Sequence, residues 1–145
     1  MKFYADTSFL YSYYSADANS TRADLWRQSN AVSLPFTSLH RLELRNAIEL
    51  AVFQKRATAA EAAEVWKTVE ADLAGGLMVE VSLSLIDLHA MAQDLTANHT
   101  AATGARSLDI LHVAAASLLG AEEIVTFDHR QAALAARIGL KVAGL

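Results

Sequence analysis

The stretch LDILHVAAASLLGAEEIVTF, residues 108–127, places a helix and a strand in immediate succession. Residues 108–119 are apolar almost throughout and end before Gly120, which is typical of a buried helix with a glycine after its C-terminus. Residues 123–127 follow as a short β-favouring apolar run. The stretch therefore predicts one helix-to-strand unit of an α/β arrangement.

The same alternation of strands and helices extends along the whole chain. Strands are predicted at residues 3–5, 32–34, 77–81, 123–127 and 140–142, the second of them stopping at Pro35. Helices are predicted over the segment up to Tyr14 and at 37–52, 58–73, 85–95, 108–119 and 131–138, with an irregular polar loop at 97–104. This order favours a three-layer α/β/α domain with a largely parallel central sheet of about five strands.

Length and composition limit the class of protein. A chain of 145 residues with 53% hydrophobic residues is expected to form one domain, residues 1–145. The absence of cysteine excludes disulfides, thiolate metal sites and cysteine nucleophiles. The early charge of Asp6 argues against a signal peptide, and no stretch has the apolar length of a membrane span, so we expect a cytoplasmic protein. The net charge of −4 argues against binding of nucleic acid by overall electrostatics alone.

Four acidic residues follow predicted strands or lie early in predicted helices. Asp6 ends the first strand, Asp128 ends the strand at 123–127, Glu43 lies in the first turns of the helix at 37–52, and Asp109 begins the helix at 108–119. In an open parallel sheet the functional crevice lies beyond the carboxyl ends of the strands. We therefore expect all four carboxylates to face one crevice.

Each acid also has a structural interpretation. Asp109 could be a first-turn acid stabilised by the helix dipole, which contributes about 0.3–1 kcal/mol. Asp6 could act as a helix N-cap, and Asp128 could be a surface turn acid. Glu43, between Arg41 and Arg45, could belong to a solvated charged face. Four such coincidences at one predicted edge are less probable than any one of them alone.

Clustered carboxylates raise one another's pKa unless a divalent cation neutralises them. Oxygen ligands suit hard cations, so Mg²⁺ is the expected metal and Mn²⁺ is a second possibility. Such a site activates water and neutralises the charge of a phosphodiester as its bond breaks. Hydrolysis of a nucleic-acid backbone is the reaction that this chemistry suits.

The chain resembles the PIN-domain ribonuclease family, and within it the VapC-type toxins of type II toxin–antitoxin systems. The matching motifs are Tyr4-Ala5-Asp6-Thr7-Ser8, Leu42-Glu43-Leu44, residues 108–116 (LDILHVAAA) and Thr126-Phe127-Asp128, in the order of the family. The resemblance implies a Mg²⁺-dependent endoribonuclease whose metal is held by Asp6, Glu43, Asp109 and Asp128. It also implies that Thr7, Ser8 and Thr126 orient the acids and the attacking water, that the chain dimerises, and that a cognate antitoxin inhibits it.

Several cations and one further histidine could contact an RNA substrate. Arg41 and Arg45 flank Glu43 one helical turn apart, and they, Arg106 and Arg130 could bind phosphates or could pair with surface acids. His112, three positions after Asp109, could reach a phosphate or bond Asp109, and a packed core histidine is the alternative.

Three other functions compete with a toxin. A non-toxin PIN-type RNA-processing nuclease would use the same acids. A haloacid-dehalogenase-like phosphatase also places an aspartate after its first strand, but its second motif aspartate corresponds to Ser8 here. A regulatory module that binds metal without turnover is the remaining alternative.

Overall fold

The computed structural model describes residues 2–145, which contain seven helices and five strands. In chain order these are β1 (Phe3–Ala5), α1 (Thr7–Tyr14), α2 (Ser20–Ser29), β2 (Leu34–Phe36), α3 (Ser38–Phe53), α4 (Ala59–Ala74), β3 (Met78–Glu80), α5 (Leu85–Thr103), α6 (Ser107–Leu118), β4 (Glu123–Val125), α7 (His129–Arg137) and β5 (Lys141–Val142). None of these helices is both long enough and apolar enough to cross a membrane.

The described chain divides into two compact units. Residues 2–6 and 82–144 form one, here called the split unit, and residues 7–81 with Leu145 form the other, here called the inserted unit. This division into units does not test the prediction that residues 1–145 form a single domain, which stays a prediction.

All strand pairings between described residues are parallel, which confirms the predicted α/β class with a parallel sheet. The five strands belong to two hydrogen-bonded sheets rather than one. The split unit holds a three-stranded sheet in the order β1-β4-β5, and the inserted unit holds the pair β2-β3. In the split unit Tyr4 is level with Ile124, and in the inserted unit Pro35 is level with Val79.

The core of the split unit is built on α6, as its apolar sequence predicts. Ile110 and residues 112–116 of this helix are buried, and they pack with Tyr4, Ile124 and Leu134. The alanines at 114–116 have no long side chains, so the helix can approach its neighbours closely. This packing fixes α6, and therefore Asp109 in its first turn, against the rest of the split unit.

The inserted unit has its own core, in which Phe9, Leu44, Ile48 and Val69 are buried. Phe9 also contacts Trp26 edge to face at 5.1 Å between ring centroids, which gives α2 an anchor on α1. Thr37 caps α3 and Thr58 caps α4, close to the helix starts predicted at residues 37 and 58.

The polar loop predicted at 97–104 is wrong, because α5 continues to Thr103. Its polar side chains bond within the helix: Asn98 Nδ2 donates to the Asp94 carbonyl at 2.8 Å, and Thr103 Oγ1 donates to the His99 carbonyl at 3.0 Å. The helix ends at Gly104, whose φ of 67° lies in the left-handed region that glycine tolerates best.

The structure differs from the predicted elements at two places before α3. The strand predicted to stop at Pro35 instead runs through it as Leu34–Phe36. Leu34 N and the Phe36 carbonyl make the bonds to the neighbouring strand, so no bond to that strand requires an amide hydrogen at Pro35. Helix α2 has no counterpart among the predicted elements, because only Ala23 and Trp26 of its ten residues are buried and its periodicity is weak.

Candidate functional site

Asp6 lies directly after β1 in the split unit and is almost fully buried, with 2% of its surface exposed. Its amide donates to the Val125 carbonyl at 3.0 Å, which continues the pairing of β1 with β4. Its Oδ2 accepts a hydrogen bond of 2.7 Å from Thr126 Oγ1. The carboxylate is therefore held at the carboxyl end of a parallel strand, where the sequence predicted it.

Thr126 connects Asp6 to the segment that carries Asp128. The Asp128 amide donates to Thr126 Oγ1 at 2.9 Å, so one hydroxyl serves both segments. Asp128 is the N-cap of α7, and its Oδ1 accepts from the Gln131 amide at 2.8 Å. The structure thus brings Asp6, Thr126 and Asp128 together by a continuous set of hydrogen bonds.

Asp109 lies in the first turn of α6 with 13% of its side chain exposed. Its Oδ2 accepts from the Arg106 amide at 3.0 Å and lies 3.5 Å from Arg106 Nε. Asp109 therefore does act as a first-turn acid of α6, the structural role that the sequence analysis weighed against metal binding. Within residues 2–145, no three His, Asp or Glu side chains approach one another closely enough to form a complete metal site.

Glu43 and Thr7 belong to the inserted unit and contact each other. Thr7 Oγ1, at the start of α1, donates to Glu43 Oε1 on α3 at 3.1 Å. Ser8 follows Thr7 in α1 and is half-buried. Two of the predicted hydroxyls, Thr7 and Thr126, therefore bond directly to predicted acids.

Arg41 and Arg45 are paired with acids of the inserted unit. Arg41 binds Glu70 at 2.6 Å and also Glu80, and the hydrogen bonds to Glu80 and then Glu70 raise the pKa of Arg41. Arg45 binds Glu49 at 2.9 Å, and both guanidinium groups lie over the Trp66 ring. The acid pairing weighed as the alternative to phosphate binding is thus the observed arrangement.

Arg106 and Arg130 are exposed residues of the split unit. Arg130 makes no ion pair with another described residue, and its Nε lies 4.0 Å from the position that a Cβ would take at Gly104. It therefore approaches the loop that leads to Arg106 and Asp109. These two arginines lie in the same unit as Asp6, Asp109 and Asp128.

His112 is buried, with 2% of its surface exposed, and its Nδ1 lies 2.8 Å from the Tyr4 hydroxyl. This is the packed core position that was weighed against contact with substrate. Sequence reasoning included Tyr4 in the first matching motif but gave it no role in the site, although its position two residues before Asp6 on the same strand was an available signal.

The chain matches no protein-family model and no curated protein sequence. Its fold is found among solved structures, of which two are described here. The crystal structure of VapC20 from Mycobacterium tuberculosis, described as a sarcin-ricin loop cleaving toxin, aligns with a TM-score of 0.69 at 17% identity and covers 91% of this chain and 94% of that one. FitAcB from Neisseria gonorrhoeae aligns with a TM-score of 0.68 at 16% identity and covers 98% of this chain and 96% of that one. The chain therefore has the fold of these structures, which confirms the α/β fold class that the sequence predicted.

Proposed function

We propose that this chain is a Mg²⁺-dependent endoribonuclease that hydrolyses RNA phosphodiester bonds and acts as the toxin of a toxin–antitoxin pair. The observation that carries the proposal is the buried Asp6 at the end of β1, connected through the Thr126 hydroxyl to the segment of Asp128. The likeness to VapC20, a sarcin-ricin loop cleaving toxin, supports the same activity.

A carboxylate buried as deeply as Asp6 has a high desolvation cost in its ionised form. That cost amounts to several kcal/mol unless a cation or several donors compensate it. Asp6 accepts from the Thr126 hydroxyl and directly precedes the eight-residue helix α1. We propose that this buried acid at the end of β1 is a cation ligand.

The donor set fits a hard divalent cation, because the proposed ligands Asp6, Glu43, Asp109 and Asp128 offer carboxylate oxygens only. Mg²⁺ is the proposed metal, and Mn²⁺ would suit the same oxygens. When bound, the cation would supply charge neutralisation at the phosphodiester and activation of water. Since no three of these side chains already form a compact group among the described residues, metal binding itself is the first step to test.

The hydrogen bonds of the acids define what the chain contributes. Thr126 fixes the orientation of Asp6, the Gln131 amide fixes Asp128, the Arg106 amide fixes Asp109, and Thr7 fixes Glu43. Held in this way, the carboxylates need less reorganisation to orient a water molecule. In the hydrolysis a bond forms from the water oxygen to phosphorus, the bond to the leaving ribose oxygen breaks, and the water proton ends on that oxygen.

The basic residues of the split unit are the proposed phosphate contacts. Arg130 and Arg106 are exposed, and both lie close to the loop that precedes Asp109. Arg41 and Arg45 keep their place as candidates only if RNA displaces Glu49, Glu70 and Glu80. We therefore assign RNA contact to Arg106 and Arg130 first.

A protein partner is supported by the exposed apolar side chains of α3. Leu42, Leu50 and Phe53 lie on one stripe of this helix, and Phe53 is 83% exposed. Surfaces of this kind commonly mark interfaces. We propose that the chain forms a homodimer and binds a cognate antitoxin, as its sequence motifs imply.

The function is tested by incubating the purified chain with structured and single-stranded RNA, with and without Mg²⁺. Cleavage should require Mg²⁺ and should disappear in Asp6→Asn and Asp109→Asn, since an amide oxygen keeps the hydrogen bonds but not the charge. Asp94→Asn, at an exposed position on α5, is the matched control and should cleave as the unmodified chain does. Circular dichroism establishes that each variant is folded.

Three results would redirect the proposal. Undiminished cleavage by both Asp6→Asn and Asp109→Asn would contradict the assignment of the acids. Calorimetric binding of Mg²⁺ without cleavage of any RNA would favour a regulatory module. Trapping of an aspartyl-phosphate would favour a phosphatase.

A further inference from the structure

Two buried polar side chains of the split unit share a hydrogen bond that the proposed chemistry does not use. Tyr4 on β1 and His112 on α6 are separated by 108 positions, and Tyr4 Oη lies 2.8 Å from His112 Nδ1. Tyr4 is 0% exposed and His112 is 2% exposed. The pair therefore lies out of reach of substrate, and its contribution must act through its neighbours.

The neighbours of the pair include two of the proposed metal ligands. Tyr4 precedes Asp6 by two residues, so both side chains project from the same face of the extended chain. His112 follows Asp109 by three residues, so the two are adjacent on one face of α6. The hydrogen bond therefore joins the face of the strand that carries Asp6 to the face of the helix that carries Asp109.

Because β1 and α6 run in opposite directions, Asp6 and Asp109 lie on the same side of the Tyr4–His112 bond. Helix α6 leads into β4 after a connection of four residues, 119–122, and β4 is parallel to β1, so α6 runs opposite to β1. From the Tyr4–His112 bond, two residues forward along the strand cover about 6.6 Å. Three residues back along the helix cover about 4.5 Å in the same direction. The register set by this bond thus places Asp6 and Asp109 level to within about 2 Å along the strand.

We propose that Tyr4 and His112 are positioning residues that fix the register between β1 and α6, and with it the separation of the Asp6 and Asp109 carboxylates. This inference rests on the proposed function, because it assigns the register to metal binding. Apolar residues such as Ile110 and Val113 belong to the same core cluster as Tyr4. Apolar contacts are not directional, whereas a hydrogen bond weakens steeply when its geometry changes.

A purely structural role makes a different prediction from a positioning role. If the bond only stabilises the core, its removal lowers stability and leaves the Mg²⁺ affinity of the folded protein unchanged. If it sets the register, its removal weakens Mg²⁺ binding even under conditions where the protein is fully folded. Partners that orient metal ligands typically change metal affinity by about tenfold to hundredfold when they are mutated.

The test uses Tyr4→Phe, which removes the hydroxyl and keeps the ring, His112→Phe, and the double variant. Mg²⁺ dissociation constants are measured by calorimetry on the full chain, with urea unfolding measured in parallel. Tyr4→Phe should weaken Mg²⁺ binding by at least about tenfold. The double variant should bind no more weakly than the weaker single variant, because both changes remove the same bond.

Two matched controls separate the alternatives. Tyr11→Phe deletes a tyrosine hydroxyl in the inserted unit, where it accepts a bond from Arg56, and should leave Mg²⁺ affinity unchanged. Val113→Ala removes buried methyl groups from α6 without touching the pair, and should lower stability while changing Mg²⁺ affinity by less than about twofold.

A measurement on the unmodified chain covers the case in which a variant does not fold. The ring nitrogen signals of His112 should shift on Mg²⁺ addition with the midpoint found by calorimetry, whereas those of the exposed His89 on α5 should not. If His112 does not respond, or if Tyr4→Phe binds Mg²⁺ as the unmodified chain does, the positioning role is overturned and the proposed function stands. If the unmodified chain does not bind Mg²⁺, or Asp6→Asn binds it equally well, the proposed function fails and this inference fails with it.

Discussion

Replacement of Thr126 by valine tests the hydrogen bonds around Asp6 most directly. The Thr126 hydroxyl donates to Asp6 Oδ2 at 2.7 Å and accepts from the Asp128 amide at 2.9 Å, and the residue is buried. Valine has nearly the same shape, so the change removes both bonds without opening a cavity. The effect on the free energy of unfolding therefore reports the two hydrogen bonds.

The expected magnitude follows from the charge of the two partners. A hydrogen bond to an ionised carboxylate contributes about 1.5–3 kcal/mol, and one between neutral groups contributes about 0.5–1.5 kcal/mol. Under conditions in which Asp6 is ionised, Thr126→Val should therefore lower the free energy of unfolding by about 2–4.5 kcal/mol. The same variant should lose RNA cleavage, because Asp6 is then free to change its orientation.

Urea unfolding followed by circular dichroism measures this change, provided that the dependence on urea concentration stays the same between variants. Thr126→Ser is the control, since serine keeps the hydroxyl and loses only a methyl group. It should retain most of the stability and the cleavage activity. A Thr126→Val protein within about 0.5 kcal/mol of the unmodified chain, which is the usual range for surface substitutions, would refute the reasoning.

Three further predictions concern other parts of the chain. Burial and then the hydrogen bond to Asp72 raise the pKa of Tyr14 above its ordinary value. The stabilisation by the neutral Tyr14 side chain is therefore complete below about pH 10 and is lost at higher pH, because Tyr14 ionises in the unfolded chain before it does in the folded one. In urea unfolding, the free energy of unfolding should fall less between pH 8 and pH 11 in Tyr14→Phe than in the unmodified chain. Gly104→Ala should cost about 1–2 kcal/mol because φ is 67° there, whereas Gly144→Ala, with no positive φ and open space around it, should be nearly neutral by the same assay. Arg130→Gln should raise the KM for RNA more than Arg41→Gln does, since Arg41 is already bound to Glu70 and Glu80; equal effects in steady-state kinetics would contradict the assignment of phosphate contacts.

The sequence predicted the elements whose pattern is local and strong. Helix α6 is apolar on nearly every side, and Thr37 and Gly120 mark helix ends that the structure contains. The predicted end of α5 was wrong because the polar residues of its last turns make hydrogen bonds inside the helix. A search for apolar periodicity does not detect such bonds. The helix α2 was missed because only two of its residues face the core.

The partners of the acids were less accessible to sequence reasoning. The positions of Asp6, Asp109 and Asp128 at strand and helix ends followed from the alternation of elements. The bond from Thr126 to Asp6 joins residues 120 positions apart, and the bond from Tyr4 to His112 joins residues 108 positions apart. A single sequence shows the members of such pairs without showing which of them meet. The ion pairs of Arg41 with Glu70 and Glu80 are likewise tertiary contacts that a single sequence does not show.

The split unit has a consequence for the order of events during synthesis. Strand β1 is translated more than 100 residues before its partner in the sheet, β4, at Glu123–Val125. The inserted unit, which is continuous from residue 7 to 81, can fold while the ribosome is still translating the rest. Asp6 then lies on a strand without its sheet partner until Asp109, Thr126 and Asp128 have emerged from the ribosome. A chain built in this way would acquire its carboxylate site only after Asp128 has left the ribosome, so the site would be absent during translation of all the residues that precede Asp128.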